Sequence, residues 1–400
     1  MPALRRGAGG RRTHLAGDAD HRLPERLRAA RLGGGLVTDA TLRVAVVGAG
    51  NASRHHLAGW RRLAGVDLVS VADTVPERAA GLADEFAIAH SGISVRDQIE
   101  SGAIDALDVV TPAHTHADFV EHALRHGVHM LCQKPIAETP ADVARIKVAV
   151  DRGPGRLMVH ENWRFRSWFR ALRRRLDAGE LGEVFHLGSS ARFAGTVPTH
   201  SHPKVPFSLG RQPFFAEMER FLILESTIHQ LDVARYLLGE PTGLYARSHR
   251  VSDLVRGEDV ATVVLAYPDA TAVVDRSYAS KGHAAPPLLS ETVVVEGTRG
   301  SAFIDAEGRL RVVVDEGGHR YEDVTEPEPD AYAGSYARAI ASFVHALRHG
   351  EPFETDLADN LKTLRLVFAA YESIRTGQAL DQHEIAALLP AGSPTEERVS

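Results

Sequence analysis

Short apolar runs alternate with amphipathic stretches over the first third of the chain. Leu42–Val47 and Val66–Ala72 are rich in β-branched residues, which is typical of strands buried on both faces of a parallel sheet. Further apolar runs cover residues 106–110 and 128–132, and the helical patterns between the runs cover 53–63, 76–85 and 117–125. Strands that alternate with helices in this way predict a doubly wound parallel α/β domain over residues 41–155.

The pattern changes after about residue 155. Strand-like runs follow one another without long helices between them, at 184–192, 261–267, 271–278, 292–296 and 310–314. Turn signals such as Tyr267-Pro268-Asp269 join neighbours as hairpins. Residues 156–385 are therefore predicted to form an α+β domain with a large, mainly antiparallel open sheet. Helical patterns at 335–349 and 357–376 are expected to pack back on the first domain.

The two ends of the chain differ from these domains. Residues 1–40 carry Arg5, Arg6, Arg11 and Arg12 among glycine and alanine, which predicts a disordered extension. A start codon assigned too far upstream is an equal alternative. Residues 386–400 are predicted to be a tail.

Composition limits the classes of function. The 400 residues are 44% hydrophobic, with a net charge of -6, so no basic surface for nucleic acid is indicated. No apolar run approaches the roughly 18 residues that cross a membrane. The one cysteine, Cys132, fits a reducing compartment, and we expect a cytoplasmic protein. On an apolar strand it is more readily a packed thiol than a nucleophile.

A glycine motif follows the first apolar run directly. Gly48, Gly50 and Ser53 occupy the three positions of the dinucleotide-binding fingerprint, with serine where glycine or alanine is usual. The two glycines permit a tight turn and a close approach to a pyrophosphate, and the next helix directs its first amides at the phosphates. The motif indicates a Rossmann domain with a bound dinucleotide.

An acid at the end of the second run supports this interpretation. Asp73 stands 25 residues after Gly48, near the roughly 20 expected for the acid that binds the adenosine ribose. A carboxylate there favours NAD, because it repels a 2′-phosphate, although Arg78 leaves NADP open. The alternative for Asp73 is a cap on the helix that begins at Pro76.

Lys134 follows the apolar run that ends at Cys132 and Gln133. Ligands of open α/β sheets lie outside the carboxyl ends of the strands, so a lysine there is placed for chemistry. Pro135 restricts Lys134 to an extended or turn conformation and permits a cis peptide bond. A solvent-facing Lys-Pro turn is the alternative. His114 and His116 stand nearby, but no further ligand accompanies them at metal-binding spacing, so no metal site is predicted.

Acid-base chemistry is indicated in the second half. His229 and Asp232 are three residues apart, and Glu225 precedes His229 by four, so one helix face carries all three. Histidine can take and return a hydroxyl proton near neutral pH. A structural histidine packed in a helix is the alternative, and the dinucleotide domain favours catalysis.

Two further stretches are candidates for binding substrate. Asn162, Trp163 and Arg164 lie where the two domains join, and they can bind sugar hydroxyls or stack on a ring, or else serve packing. Residues 196–215 contain four prolines and two histidines. They are expected to form a long loop over the substrate.

The ordered set of these motifs resembles the glucose-fructose oxidoreductase, inositol dehydrogenase and rhizopine-catabolism (Gfo/Idh/MocA) family. The resemblance extends over residues 42–382, and the stretches Glu161-Asn162-Trp163-Arg164-Phe165 and 217–221 resemble a branch of pentose dehydrogenases such as D-apiose dehydrogenase. It implies that Lys134 and His229 serve hydride transfer, with Asp232 as a third catalytic residue beside them. It also implies that Glu225, Asn162, Trp163, Arg164 and Asp232 bind substrate. The implied cofactor-binding residues are Gly48, Gly50, Asn51, Ala52, Ser53, Asp73, Arg78, Thr111, Pro112, His116, Gln133 and Lys134.

The resemblance implies an NAD(P)-dependent dehydrogenase that oxidises a hydroxyl of a sugar or polyol. A homo-oligomer, dimer or tetramer, is also expected, through the open face of the second sheet. Gln133 departs from the glutamate usual in the family, and Glu225 from aspartate. A neutral amide beside Lys134 removes a charge that favours the protonated amine, so we expect the lysine to act more as a base. The same departure leaves open a regulatory protein that senses nucleotides or sugars with weakened catalysis.

Overall fold

The computed structural model describes residues 41–281, 291–315, 319–323 and 331–389. The predicted extension over residues 1–40, and the predicted tail from residue 390, lie outside these ranges. Within the described residues the chain forms one sheet of six strands and a second sheet of nine. The predicted order, a Rossmann domain followed by an α+β domain with a mainly antiparallel sheet, is confirmed.

The first sheet is wholly parallel. Its strands are β1 (Leu42–Val47), β2 (Val66–Ala72), β3 (His90–Gly92), β4 (Ala106–Val109), β5 (His129–Gln133) and β6 (Leu157–His160). They lie in the order β3-β2-β1-β4-β5-β6, which reverses direction between β1 and β4, where dinucleotides bind. Because β6 pairs with β5, the first sheet continues past the boundary predicted at residue 155, to His160.

Helices cover both faces of this sheet. They are α1 (Ser53–Arg61), α2 (Pro76–Glu85), α3 (Arg96–Ser101), α4 (His116–Arg125) and α5 (Pro140–Arg152). β1 is buried along nearly its whole length, because apolar side chains on both faces must be covered in a parallel sheet.

The second domain contains α6 (Ser167–Asp177), α7 (Phe207–Arg211), α8 (Ile228–Leu238), α9 (Ala331–His349), α10 (Leu357–Thr376) and α11 (Gln382–Ala387). Helix α9 packs on α1 of the first domain. Gly59 makes this approach possible, since a Cβ there would lie 2.7 Å from Cδ1 of Ile340. Trp60, Phe343 and Leu347 are buried in the same contact, which fixes the second domain beside the glycine loop.

The nine described strands of the second sheet are β7 (Val184–Arg192), β8 (Gly243–His249), β9 (Val260–Ala266), β10 (Thr271–Ser277), β11 (Glu291–Gly297), β12 (Gly300–Ile304), β13 (Leu310–Asp315), β14 (His319–Asp323) and β15 (Leu380–Asp381). Their order is β14-β13-β12-β11-β7-β10-β9-β8-β15. Only the β7-β10 pair is parallel among these described strands. Alternate residues of β9 are buried and half-buried, so one face of the sheet forms a core and the other stays open.

Candidate active site

A cleft of about 1720 Å³ separates the first sheet from the second. Its walls include the carboxyl ends of β1, β4 and β5 on one side and β7, β10 and the turn before α8 on the other. Among the residues proposed from the sequence, those that line it are Gly48, Gly50, Asn51, Ala52, Asp73, Arg78, Thr111, Pro112, Gln133, Lys134, Trp163, Glu225 and His229. The cleft therefore joins the dinucleotide motif to the acid-base candidates.

The glycine loop closes tightly against β4. Gly48 has a φ of +98°, and a Cβ there would lie 2.5 Å from the carbonyl oxygen of Val110, so only glycine fits. A Cβ at Gly50 would instead meet open space, which leaves room for a phosphate. Ser53 is buried and donates a 2.7 Å bond to the carbonyl of Gly48; it closes the loop and does not line the cleft.

Asp73 holds the same loop from β2. Its carboxylate accepts from the backbone of Ala49 at 2.7 Å and of Val75 at 2.8 Å. Val75, not Asp73, is the residue that precedes the helix α2 as its cap. The carboxylate faces the cleft beside the first glycine, where ribose hydroxyls can donate to it. Glycine loop, helix terminus and carboxylate thus fit NAD.

His116, predicted to bind cofactor, does not reach the cleft. It is buried, and its Nε2 lies 2.9 Å from the carbonyl of Thr111. Burial lowers the pKa of His116 to about 4, so the ring is a neutral donor that fixes the loop after β4. Thr111 and Pro112, which the ring supports, do line the cleft.

Lys134 is held by Glu225 from the other domain. Its Nζ donates to the carbonyl of Glu225 at 2.7 Å and to Oε1 at 2.8 Å. Burial raises the pKa of Glu225, and Lys134 opposes that shift. An ammonium has three N–H donors, so one remains beyond the two that Glu225 accepts. The peptide bond between Lys134 and Pro135 is cis.

Gln133 contacts the backbone of Lys134 rather than its amine. Its Oε1 accepts from the Lys134 amide at 2.8 Å, and its Nε2 lies 2.9 Å from Nε2 of His56. His56 in turn contacts Asp108 through Nδ1 at 2.8 Å. Since the amide donates, Nε2 of His56 accepts and its Nδ1–H donates to Asp108. This buried chain orients the loop that carries Lys134, and the charge partner of the amine is Glu225.

His229 is paired with a residue that sequence reasoning passed over. Its Nδ1 lies 2.5 Å from Oε1 of Glu161, which directly follows β6 and is fully buried. Burial raises the pKa of Glu161 to about 7. Burial, and then the cations Lys134 and Arg166, hold the pKa of His229 well below its usual range. A neutral His229 that donates Nδ1–H to Glu161 keeps Nε2 as a base.

Trp163 positions His229 instead of stacking on a substrate ring. Its ring is stacked on that of His229, with centroids 4.3 Å apart, and the guanidinium of Arg166 lies 3.4 Å from the ring centroid. Its Nε1 donates to Glu291 at 2.8 Å. Because His229 and Arg166 already contact the ring of Trp163, the structure does not support the predicted stacking of this ring on a substrate.

Asp232, Arg164 and Asn162 lie behind the cleft. Arg164 makes a bidentate pair with the fully buried Asp232, at 2.7 and 2.5 Å. Asn162 donates to Ser335 of α9 at 2.7 Å. The predicted substrate contacts of these three side chains are therefore corrected to structural ones. The cause is burial of α8 on nearly all sides, which places Asp232 one turn beyond the cleft wall.

The helix face predicted for Glu225 is also altered. Residues Ile223–Thr227 form a π-helical turn before α8, so Glu225 is not on a continuous α-helix with His229. The wider turn still brings Glu225 and His229 into the same cleft. Turns of this kind are common at functional sites.

The segment over residues 196–215 lines the cleft as expected, but it is not structureless. It contains α7 and the start of a 3₁₀ turn, Pro213–Glu217. Phe207, Arg211, Phe214 and Phe215 contribute to the wall. Further residues that sequence reasoning missed are Arg276, Tyr278, Glu291, Tyr332 and Tyr336. The sequence did contain a signal for Tyr332 and Tyr336, because residues four positions apart share a helix face.

Other chemistry has less support. Burial raises the pKa of the Cys132 thiol well above its usual value, which fits a packed side chain. In the described ranges, no group of three His, Cys, Asp or Glu residues is arranged to hold a metal ion. No described helix combines the length and apolarity that crossing a membrane requires.

Comparison with known proteins agrees with this geometry. Residues 42–161 match the oxidoreductase family with an NAD-binding Rossmann fold, and residues 169–303 match the GFO/IDH/MocA C-terminal domain. D-apiose dehydrogenase of Paraburkholderia graminis is 36% identical over 88% of this chain and 92% of its own length. The D-apiose dehydrogenase of Rhizobium rhizogenes is 32% identical over 85% and 97%.

A solved structure extends the likeness to three dimensions. An oxidoreductase from Agrobacterium radiobacter, crystallised with NAD+, L-tartaric acid and magnesium, superposes with a TM-score of 0.78 at 32% identity. The match covers 88% of this chain and 100% of that one. The resemblance inferred from the sequence is confirmed: the chain belongs to the GFO/IDH/MocA family of NAD-binding oxidoreductases.

Proposed function

We propose that the protein is an NAD-dependent dehydrogenase that oxidises a hydroxyl of a pentose-type sugar, with His229 as base and Lys134 as donor to the reacting oxygen. The observation that carries this proposal is the meeting of the two side chains in one cleft with the glycine loop. NAD, when bound, accepts the hydride from the substrate carbon.

The hydroxyl proton goes to Nε2 of His229. Nδ1 of the ring is engaged by Glu161, which fixes the tautomer and the ring orientation, while Trp163 holds the ring plane. A base whose tautomer is fixed by a buried carboxylate is ready to accept a proton without rearranging. Glu161 is thereby a positioning residue that also stabilises the protonated ring.

Lys134 stabilises the negative charge that develops on the same oxygen. Two of its three N–H donors are fixed by Glu225, so the third has a defined direction. A preorganised donor at the developing oxyanion lowers the barrier without reorganisation. From the sequence either residue could be the base, and Gln133 shifted the expectation towards Lys134; the ion pair of Lys134 with Glu225 instead favours His229 as the base.

The substrate class rests on the relatives. The two D-apiose dehydrogenases match nearly the whole chain, so D-apiose and related pentoses are the first candidates. The cleft offers hydrogen-bonding groups for several hydroxyls, among them Arg276, Tyr278, Glu291 and Tyr332. A sensing role without catalysis gains no support, because Gln133 leaves both Lys134 and its carboxylate partner in place.

The open face of the second sheet is the proposed surface for a homo-oligomer. Phe185 and Phe303 are 49% and 41% exposed, and neighbouring strands present further half-buried side chains. Analytical ultracentrifugation tests this, and a strict monomer at micromolar concentration contradicts it. The cytoplasmic location stays a prediction from the sequence.

The test of function is NADH formation over a panel of sugars and polyols that includes D-apiose, with NAD and NADP in parallel. We expect His229→Ala and Lys134→Met to lower turnover by roughly 10²–10⁴-fold while the affinity for NAD stays near that of the wild type. His383→Ala, at an exposed position, is the matched control. Turnover retained in both cleft variants contradicts the proposed roles.

A further inference from the structure

Arg211 reaches from the second domain to the glycine loop of the first. It is the last residue of α7, in the segment 196–215 that covers the cleft, and its side chain lines that cleft. When the Asn51 amide is oriented with its oxygen towards the guanidinium, Nη2 and Nε of Arg211 donate to that oxygen at 2.7 and 3.1 Å. Asn51 directly follows Gly50, so the guanidinium lies at the phosphate end of the cofactor site.

The charge of Arg211 is not neutralised by the protein. Two other cations along the cleft have carboxylate partners: Arg54 pairs with Glu85 and Lys134 with Glu225. Arg211 forms no salt bridge with any residue of the described ranges; its partners there are the Asn51 amide and the ring of Phe207, 5.5 Å from the guanidinium carbon. A half-buried cation beside a phosphate loop is matched by an anion.

We propose that Arg211 binds the pyrophosphate of NAD from the side opposite the glycine loop, and so links cofactor binding to closure of the segment 196–215 over the sugar. The amides at the start of α1 and the loop hold the pyrophosphate from one side. The guanidinium fork fits phosphate oxygens in two-bond geometry. Because Phe207 and Phe214 of the same segment line the cleft, a pyrophosphate held by Arg211 also fixes the part of the wall that these two side chains form around the sugar.

Binding of ADP-ribose, measured by isothermal titration calorimetry, tests the contact without turnover. Hydrogen bonds to charged groups contribute about 1.5–3 kcal/mol, so Arg211→Met is expected to weaken ADP-ribose by roughly tenfold to a hundredfold. Adenosine, which lacks the pyrophosphate, is expected to bind the variant and the wild type equally. Lys204→Met removes a charge from an exposed position of the same segment and is expected to change neither affinity.

Arg211→Gln is the second variant; it keeps a polar side chain beside Asn51 but no charge, and it is expected to lose the same affinity. Either folded variant that binds ADP-ribose like the wild type overturns the proposal. Wild-type enzyme that binds no ADP-ribose overturns the cofactor site itself, and with it the proposed function. At saturating NAD, Arg211→Met is expected to raise the KM for the sugar, and an unchanged KM refutes the link to closure.

Discussion

The Oε1 atom of Glu161 lies 2.5 Å from Nδ1 of His229, across 68 positions of sequence. Glu161 follows the last strand of the Rossmann sheet, and His229 lies in the first turn of α8. The pair is therefore assembled by the junction of the two domains. It makes the orientation of the proposed base depend on a residue of the other domain.

Glu161→Gln is expected to lower kcat by about 100-fold, because the amide cannot stabilise the protonated ring. In the proposed mechanism, oxidation requires ionised Glu161 and an unprotonated Nε2. The pKa of Glu161 is about 7, so kcat/KM is expected to rise as the pH increases through about 7 and to level above it.

In Glu161→Gln that rise is expected to disappear, because the pKa of His229 lies well below its usual range. Initial rates across the pH range check this. Glu180→Gln, which removes a carboxylate paired with Arg175 and distant in the fold, is the control. A profile in Glu161→Gln that keeps its limb near neutral pH argues against the pairing.

Gln133→Glu is expected to destabilise the fold more than it alters catalysis. The carboxylate would face Nε2 of His56, which accepts a bond because Nδ1 donates to Asp108. Two buried acceptors then face each other, so Tm is expected to fall while the pH-rate profile keeps its shape; thermal denaturation and initial rates measure the two. This revises the expectation that Gln133 tunes the lysine amine, and a shifted pH-rate profile with unchanged Tm would restore it.

Asp232→Asn is expected to lower the free energy of unfolding by about 3 kcal/mol, because buried Arg164 loses its bidentate carboxylate and keeps the single carboxylate contact with Asp359 at 2.9 Å. At a temperature where the variant is folded, KM should change little, since Asp232 does not reach the cleft. Chemical denaturation and steady-state kinetics check both halves. Glu372→Gln, in an exposed pair with Arg375, should leave both quantities unchanged, and a raised KM at full stability in Asp232→Asn returns this residue to the substrate site.

Asp73→Ser is expected to shift the preference from NAD towards NADP. The carboxylate repels a 2′-phosphate and accepts from the ribose hydroxyls, so NAD should lose roughly tenfold in affinity while NADP gains. Titration of both cofactors measures the ratio. Asp73→Asn removes the charge but keeps an acceptor for the Ala49 amide. This variant therefore distinguishes the effect of the charge from the effect of the hydrogen bond to the loop. An unchanged NAD to NADP ratio in both variants would assign Asp73 to the loop alone.

Local sequence patterns predicted much of the fold. The bounds of β1, β2, α2 and α10 agree with the predicted ones, because each is a run of apolar periodicity closed by glycine, proline or a charged turn. Two short strands were not predicted. β3 and β15 are too short for a periodic signal, and they exist because a neighbouring strand pairs with them.

The order of motifs in the sequence determined the family and the dinucleotide loop, and it identified a strand-end lysine and a helix histidine as candidates, each within its own short motif. These depend on residues a few positions apart, whose geometry the local backbone fixes. Only the tertiary structure decided which candidate side chains face the cleft. It buried Asp232 and Arg164 behind the cleft, and it placed the ring of Trp163 between His229 and Arg166. It also brought Glu161 into contact with His229. The reason is that burial, desolvation and partner choice depend on residues far apart in the chain, and no local pattern records them.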